Sequence, residues 1–239
     1  MSKFISIMWS EGVTEAEAQV MIHTVDQVLK WLYLRQPANL FTPAIRVRAF
    51  GTWVIPALVP DKPYWGTQWY VEQSYDEEVR QVIAPVFLEL VRREPWQRAD
   101  PHFDLALVDD DLTDFPAPLA RLQPDHYCLG SSFPGTAAVF SLYRLRRLAD
   151  ERTRQLALAR LTRHHLGHVL GIPQFTRQGQ TKRLGLELHC VNPCVMRHAA
   201  TVEELARLAL EEAEMGWPFC AQCTSELHSV VAHHTYQWS

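Results

Sequence analysis

Residues 163–174, RHHLGHVLGIPQ, contain two histidines four positions apart and a glycine three positions beyond the second. Side chains at this spacing lie one turn apart on the same face of a helix, so His164 and His168 can bind one ion at about 2.0–2.1 Å. A third ligand must come from outside the helix, and Gly171 permits the sharp turn that its return requires. The stretch therefore indicates a helix that carries part of a metal site.

The rest of the pattern indicates an α/β arrangement around this helix, which is predicted to begin at Asp150 and to end near Gly171. Ala157 and Leu161 continue the apolar face on which the two histidines lie. Capping boxes predict three more helices, which start at Thr14–Glu17 and end near Pro37, start at Ser74–Glu77 with a kink at Pro85, and run from Thr201–Glu204 to Met215. Strands are predicted within AIRVRAFGTWVIP (44–56), FDLALVDDDL (103–112), YCLGSS (127–132) and TAAVFSLYRL (136–145).

Composition limits the class of protein. The 239 residues are 47% hydrophobic and 21% charged, which is typical of a soluble globular protein with a sizeable core. The net charge of −4 gives no general attraction to nucleic acid or to an anionic membrane. No segment approaches about 18 uninterrupted apolar residues, and the start MSKFISIMWSEGV has too short an apolar run for a secretory signal. We expect a cytoplasmic monomer.

Four of the five cysteines form two close pairs, Cys190-x3-Cys194 and Cys220-x2-Cys223. Clustered cysteines in a chain without an export signal bind metal more often than they form disulfides. Two such pairs can hold opposite sides of one tetrahedral zinc ion, which then needs no other ligand. Cys128 stands apart on an apolar run and is interpreted as a small buried side chain.

The ordered motifs HLGHVLGIP, HCVNPCVM, TVEELARL and FCAQC, between residues 164 and 223, resemble the archaemetzincins. The signature of that family is HELGHLLGxxHC, followed by C-x-M and CxxC. The resemblance implies a zincin-like α/β (α+β) fold: a twisted, mostly parallel sheet, an active-site helix and a small zinc-bound C-terminal lobe. It also implies one catalytic and one structural zinc ion, with Gly171 as the turn glycine and Met196 as the methionine of the Met-turn.

The third catalytic ligand departs from the family's spacing. Residues 174–188 are interpreted as an inserted loop, and His189 as the displaced ligand, because it keeps its place directly before Cys190. By strict spacing the third ligand would be Gln174, but a carboxamide is a poor zinc ligand beside imidazole. The division that follows is an N-terminal zincin-like subdomain (1–173), the inserted loop (174–188) and a four-cysteine zinc subdomain (189–239).

Position 165 decides the chemistry. Metzincins have glutamate there as the general base, whereas this chain has His165. A neutral imidazole can accept a proton, but its protonated form is then a cation beside zinc, which opposes hydrolysis. His165 is therefore either the catalytic base or an inert neighbour of a retained metal. Glu187, in the insertion, could return a carboxylate to the site, although the sequence does not fix its position.

Three functions remain on the sequence alone. The first is a zinc metallopeptidase that cuts peptides laid along an edge strand near 136–145, with activity impaired by His165. The second is a catalytically inactive zinc-binding homologue that binds a peptide or protein partner. The third is a four-cysteine zinc module that binds nucleic acid or protein, and the net charge argues against its nucleic-acid form.

Overall fold

The computed structural model describes residues 4–34, 45–52, 66–94, 97 and 99–236, with side chains described as far as Ala232. Ten strands are described, in chain order β1 Phe4–Trp9, β2 Arg46–Gly51, β3 Tyr75–Asp76, β4 Gln81–Ile83, β5 Phe103–Val108, β6 Leu112–Thr113, β7 Gly130–Phe133, β8 Ala137–Ser141, β9 Thr181–Leu184 and β10 Glu187–Cys190. Seven α-helices are described, α1 Glu15–Leu34, α2 Thr67–Ser74, α3 Ala84–Arg92, α4 Ala117–Leu122, α5 Glu151–Val169, α6 Val202–Ala213 and α7 Ala221–Tyr236, besides a 3₁₀ turn at Leu145–Arg147.

The main sheet has five strands in the order β2-β1-β5-β8-β7. Its first four strands are parallel to one another, and β7 pairs antiparallel with β8 at the edge. Alternate residues of the inner strands enter two separate cores: Phe103, Leu105 and Leu107 of β5 face one, and Ala106 and Val108 face the other. Helices α1 and α5 cover the first face, whereas α2 and α3 cover the second. The predicted α/β architecture with a mostly parallel sheet is confirmed.

Helix α5 begins and ends where its capping residues predict. The Asp150 side chain accepts a hydrogen bond of 2.7 Å from the Thr153 backbone N–H. At the other end Gly171 adopts φ +83°, and its N–H donates to the carbonyl of His168 while that of Ile172 donates to Gly167. This is a Schellman motif, which releases the chain sideways directly after the second histidine.

Two secondary-structure predictions are wrong. Ser74 does not cap a helix from Glu77, because its hydroxyl bonds back to the carbonyl of Tyr70 at 2.6 Å and α2 ends there. The edge of the main sheet is also not the strand near 136–145, since β7 covers β8 and provides the edge instead. The predicted helix end near Pro37 and the second half of the 44–56 segment lie outside the described residues.

The inserted segment contains regular structure that the sequence did not indicate. Strands β9 and β10 form an antiparallel hairpin in which His189 pairs with Lys182 and Cys190 with Thr181. Helices α6 and α7 follow, and Thr201 caps α6 by accepting a bond of 3.2 Å from the Glu204 N–H, as predicted. The main hydrophobic core continues into this part through Cys194 and Leu227. The division into two subdomains and a loop stays a prediction.

Candidate metal centres

Three histidines meet beside the edge of the main sheet. Ligand atoms of His164, His168 and His189 lie within 4.8 Å of one another, and all three side chains are buried. The Nε2 atoms of His164 and His168 are 3.2 Å apart. Two ligands at about 2.0–2.1 Å from a tetrahedral zinc ion are separated by about 3.3 Å. The histidine triad, as we call these three residues, therefore has the spacing of a metal site before any ion is placed.

The backbone around the triad fixes the ring orientations. His164 Nδ1 donates to the carbonyl of Val195 at 2.8 Å, which leaves Nε2 with its lone pair toward the other two rings. The next residue, Met196, is buried directly beneath α5: a Cβ added at Gly167 would lie 2.3 Å from its sulfur. The sulfur of Met196 thus packs against the turn of α5 that lies between the two helical histidines, and its role as the methionine of a Met-turn stays a prediction.

The two helical histidines of the triad have the protonation state that a metal requires. Burial lowers the pKa of His168 to about 4, and burial with the neighbouring imidazoles of His168 and His165 lowers that of His164. Neutral rings at pH 7 offer lone pairs rather than protons. Both ring nitrogens of His189 are buried without a hydrogen-bond partner, an arrangement that is costly unless another group binds there. The donor set fits a zinc ion.

The two candidates for the third ligand lie in different places. His189 on β10 joins the two helical histidines, with ring centroids 5.2 Å from His164 and 4.9 Å from His168. Gln174 is not one of the group; its backbone N–H instead donates to a carboxylate oxygen of Glu226 at 3.1 Å. The insertion therefore leaves the triad intact, because its hairpin returns the chain to the same point.

His165 faces the sheet and not the triad. Its Nδ1 lies 2.8 Å from Ser132 Oγ on β7, and a Cβ added at Gly130 would lie 2.2 Å from its Nε2. The ring stacks on Phe140 at 5.3 Å, and burial lowers its pKa to about 3. Both ring nitrogens thus contact the edge strand. The role of His165 as a catalytic base stays a prediction, and this placement does not favour it.

A carboxylate from the insertion approaches the triad. Glu187 Oε2 lies 3.3 Å from His189 Nε2, without hydrogen-bond geometry, and Oε1 is buried with no partner among the described residues. Burial raises the pKa of this carboxyl, but the imidazoles of His168, His189 and His165 outweigh it, so the pKa lies below its usual range and the group is ionised. Among the described residues, no other carboxylate makes such a close contact with a nitrogen atom of the triad.

His164 of the triad and His165 line a cleft of about 630 Å³. Residues of the edge strand β7 and of the β9–β10 hairpin, including Glu187, also line this cleft, together with Pro85, Leu88 and His198. Sequence reasoning missed Ser132, Gly130 and His198, since single polar or small residues carry no spacing signal that would single them out.

The four predicted cysteine ligands also meet. The sulfurs of Cys190, Cys194, Cys220 and Cys223 lie within 4.8 Å of one another. Those of Cys190 and Cys220, one from each pair, are 3.8 Å apart, close to the separation of about 3.8 Å expected for thiolates at about 2.3 Å from a tetrahedral zinc ion. The Cys190 and Cys194 sulfurs, together with burial, raise the pKa of Cys223, because clustered thiolates repel without a cation. This four-cysteine cluster could hold a metal ion.

An arginine of the insertion touches this cluster. Arg177 Nη2 donates to Cys223 Sγ at 3.2 Å, and the same guanidinium forms an ion pair with Glu226 at 2.7 Å. Its side chain is fully buried. A buried cation beside several thiolates offsets part of their charge. Cys128, by contrast, lies away from the cluster near Leu112, and burial raises its pKa, as expected for an inert thiol.

Comparison with known proteins bears on the fold. No family model matches the sequence, and no curated protein matches it either. The crystal structure of archaemetzincin from Methanopyrus kandleri superposes with a TM-score of 0.60 at 19% sequence identity, and the match covers 96% of each chain. The protein has the archaemetzincin fold. The match spans residues well before the motifs, including the first hundred residues, where the sequence offered no recognisable signature.

The triad and the four-cysteine cluster lie next to each other in this fold. His189 and Cys190 are adjacent on β10, and the Cys190 N–H donates to the carbonyl of Met196 at 3.0 Å. One short segment thus connects both centres and the methionine beneath the triad. None of the described helices is both long and apolar enough to cross a membrane.

Proposed function

We propose that this protein is an archaemetzincin-like zinc metallopeptidase that hydrolyses peptide bonds with a zinc-activated water. The observation that carries the proposal is the convergence of three buried imidazoles beside the open edge of a sheet. In this proposal His164, His168 and His189 hold the catalytic zinc ion. Cys190, Cys194, Cys220 and Cys223 hold the structural one.

The edge strand β7 supports a peptide or protein substrate. Its partner β8 occupies one side only, so backbone groups on the other side can pair with an extended peptide. A peptide bound in this way runs past the triad along the cleft wall. When bound, zinc supplies a Lewis acid that polarises the scissile carbonyl and lowers the pKa of water. The walls of the cleft position the carbonyl and exclude bulk water.

The test begins with the metal. Mass spectrometry of the purified protein is expected to find two zinc ions per chain, and His168→Ala is expected to retain one. Cleavage of a peptide mixture by the native protein should disappear in His168→Ala and persist in a control, His23→Ala, whose side chain is exposed on α1. A native protein with two zinc ions and no cleavage of any peptide would reject the peptidase.

A second candidate function is a catalytically inactive homologue that retains zinc and binds a peptide or protein partner in the same cleft. The contact of both His165 nitrogens with β7 favours it, because the position of the family's base then contributes no acceptor. This function predicts that labelled peptides bind the zinc-loaded protein uncut, and that His165→Glu gains cleavage that the native chain lacks.

A further inference from the structure

We propose that Glu187, which the inserted hairpin carries, supplies the catalytic carboxylate that position 165 lacks. This inference rests on the proposed peptidase function and names its proton acceptor. The place of Glu187 is set by the strand: it lies two residues before His189 on β10, and alternate residues of a strand face the same side. The His189 ring and the Glu187 carboxylate therefore lie on the same side of β10, next to the triad.

The position of the carboxylate favours an acceptor over a metal ligand. Glu187 Oε2 is 3.3 Å from His189 Nε2, yet Glu187 is not among the residues whose ligand atoms meet within 4.8 Å. It lies beside the triad and lines the cleft with His164 and His165. A general base must reach the attacking water from such a position, outside the set of metal ligands.

A purely orienting role is less well supported. A carboxylate that orients a metal-bound histidine accepts a hydrogen bond from the ring nitrogen that does not bind the ion. Glu187 Oε2 and His189 Nε2 lack hydrogen-bond geometry, and Oε1 has no partner at all among the described residues. An acceptor that is buried and unpaired in the protein is costly unless another group, such as a bound water molecule, donates to it.

The water oxygen forms a bond to the carbonyl carbon of the peptide while one water proton passes to Glu187 Oε1. Glu187 then returns this proton to the peptide nitrogen as the carbon–nitrogen bond breaks, and the carboxylate is regenerated. The residue at 165 takes no part. A histidine in place of the family's glutamate is tolerated at this position because Glu187 on β10 supplies the carboxylate instead.

Glu187→Gln provides the first test. The amide keeps the size and the hydrogen-bond acceptor of the carboxylate but cannot take a proton. We expect kcat to fall by about 10²–10⁴-fold with two zinc ions retained. Glu211→Gln, an exposed glutamate on α6, is the matched control and should keep native activity. Native kcat in Glu187→Gln would overturn the proposal, and so would the loss of a zinc ion, which would make Glu187 a ligand.

A second measurement does not depend on turnover. Acetohydroxamic acid, a small chelating acid, binds zinc as its anion, so its proton must move to a nearby base or to the buffer. Calorimetry in buffers of different ionisation enthalpy is expected to show no proton release from the native zinc-loaded protein and release from Glu187→Gln. Identical proton release in both would overturn the proposal. The expected difference in a protein that cleaves no peptide would reject the peptidase function and show Glu187 only as a proton acceptor beside the metal site.

Discussion

The histidine triad and the four-cysteine cluster differ in how their ligands are brought together. Each cysteine pair is local, within five residues of sequence, and the cluster needs only two such pairs to approach. The triad combines two residues of one helix with a third that lies 21 positions later, beyond a hairpin. The cluster is therefore the more self-contained centre. We expect the triad to depend on it, because His189 lies next to Cys190 on β10.

The largest expected effect comes from breaking the cluster. Cys223→Ser removes a fully buried ligand, and we expect the protein to lose both zinc ions, since His189 loses its anchor. Structural zinc contributes about 10–16 kcal/mol to the folding of zinc-finger peptides, so the free energy of unfolding should fall by several kcal/mol. Metal analysis and thermal unfolding measure both effects. Retention of the triad's zinc in this variant would show that the two centres are independent.

A substitution in the triad is expected to affect the triad alone and to leave the four-cysteine cluster unchanged. His189→Ala should weaken zinc binding at the triad by more than about 100-fold, because even substitutions next to metal ligands cost about 10–100-fold. The cluster should keep its zinc in a competition with a chelator. His23→Ala is the control, since its side chain is exposed on α1 and does not belong to the triad. Loss of both ions in His189→Ala would contradict the proposed dependence.

Acidification should reveal the burial of His165. Its pKa is lowered to about 3 in the folded protein by burial, so below about pH 6.5 the unfolded chain takes up a proton that the folded chain does not. Stability is therefore lost as the pH falls, by about 2 kcal/mol at pH 5 for this residue. Urea unfolding at pH 7 and pH 5 should show a smaller loss in His165→Gln than in the native protein. Equal losses would mean that His165 is not buried as a neutral ring.

The smallest expected effect concerns the insertion's contact with the cluster. Arg177→Gln removes the donor to Cys223 Sγ and should speed zinc release to a chelator by about 10-fold, with the triad's zinc unaffected. Arg183→Gln, which changes an exposed arginine on β9, serves as the control. An unchanged release rate would show that Arg177 contributes to packing and not to the charge balance of the cluster.

The predicted helix ends are correct where the residue that caps the helix acts within one turn of it. Asp150, Thr201 and Gly171 act within one turn of their own helices, and the structure confirms each. The capping box at Ser74 failed because a tertiary contact outweighed it: β4 pairs with β6, so residues 75–83 form strands and a turn. The hairpin of the insertion gave no signal, because its alternation is too short and too polar.

The predictions for the candidate site differ in the same way: local spacing indicated some of the ligands, whereas contacts between distant segments decided the others. The sequence indicated that His164, His168 and the four cysteines serve metal centres, because ligand spacing on a helix or in a short loop is itself a geometric constraint. It could not decide between Gln174 and His189, nor foresee that both nitrogens of His165 face β7. Those outcomes depend on segments that are distant in the chain.

By itself, the sequence determined the helix with its paired histidines, the four-cysteine cluster and a mostly parallel α/β fold. Only the tertiary structure decided which residue completes the triad and which carboxylate lies beside it. The reason is physical: helix periodicity and short loops fix relative positions over a few residues, whereas the return of Glu187 and His189 is fixed by a hairpin and by the packing of the lobe that follows it.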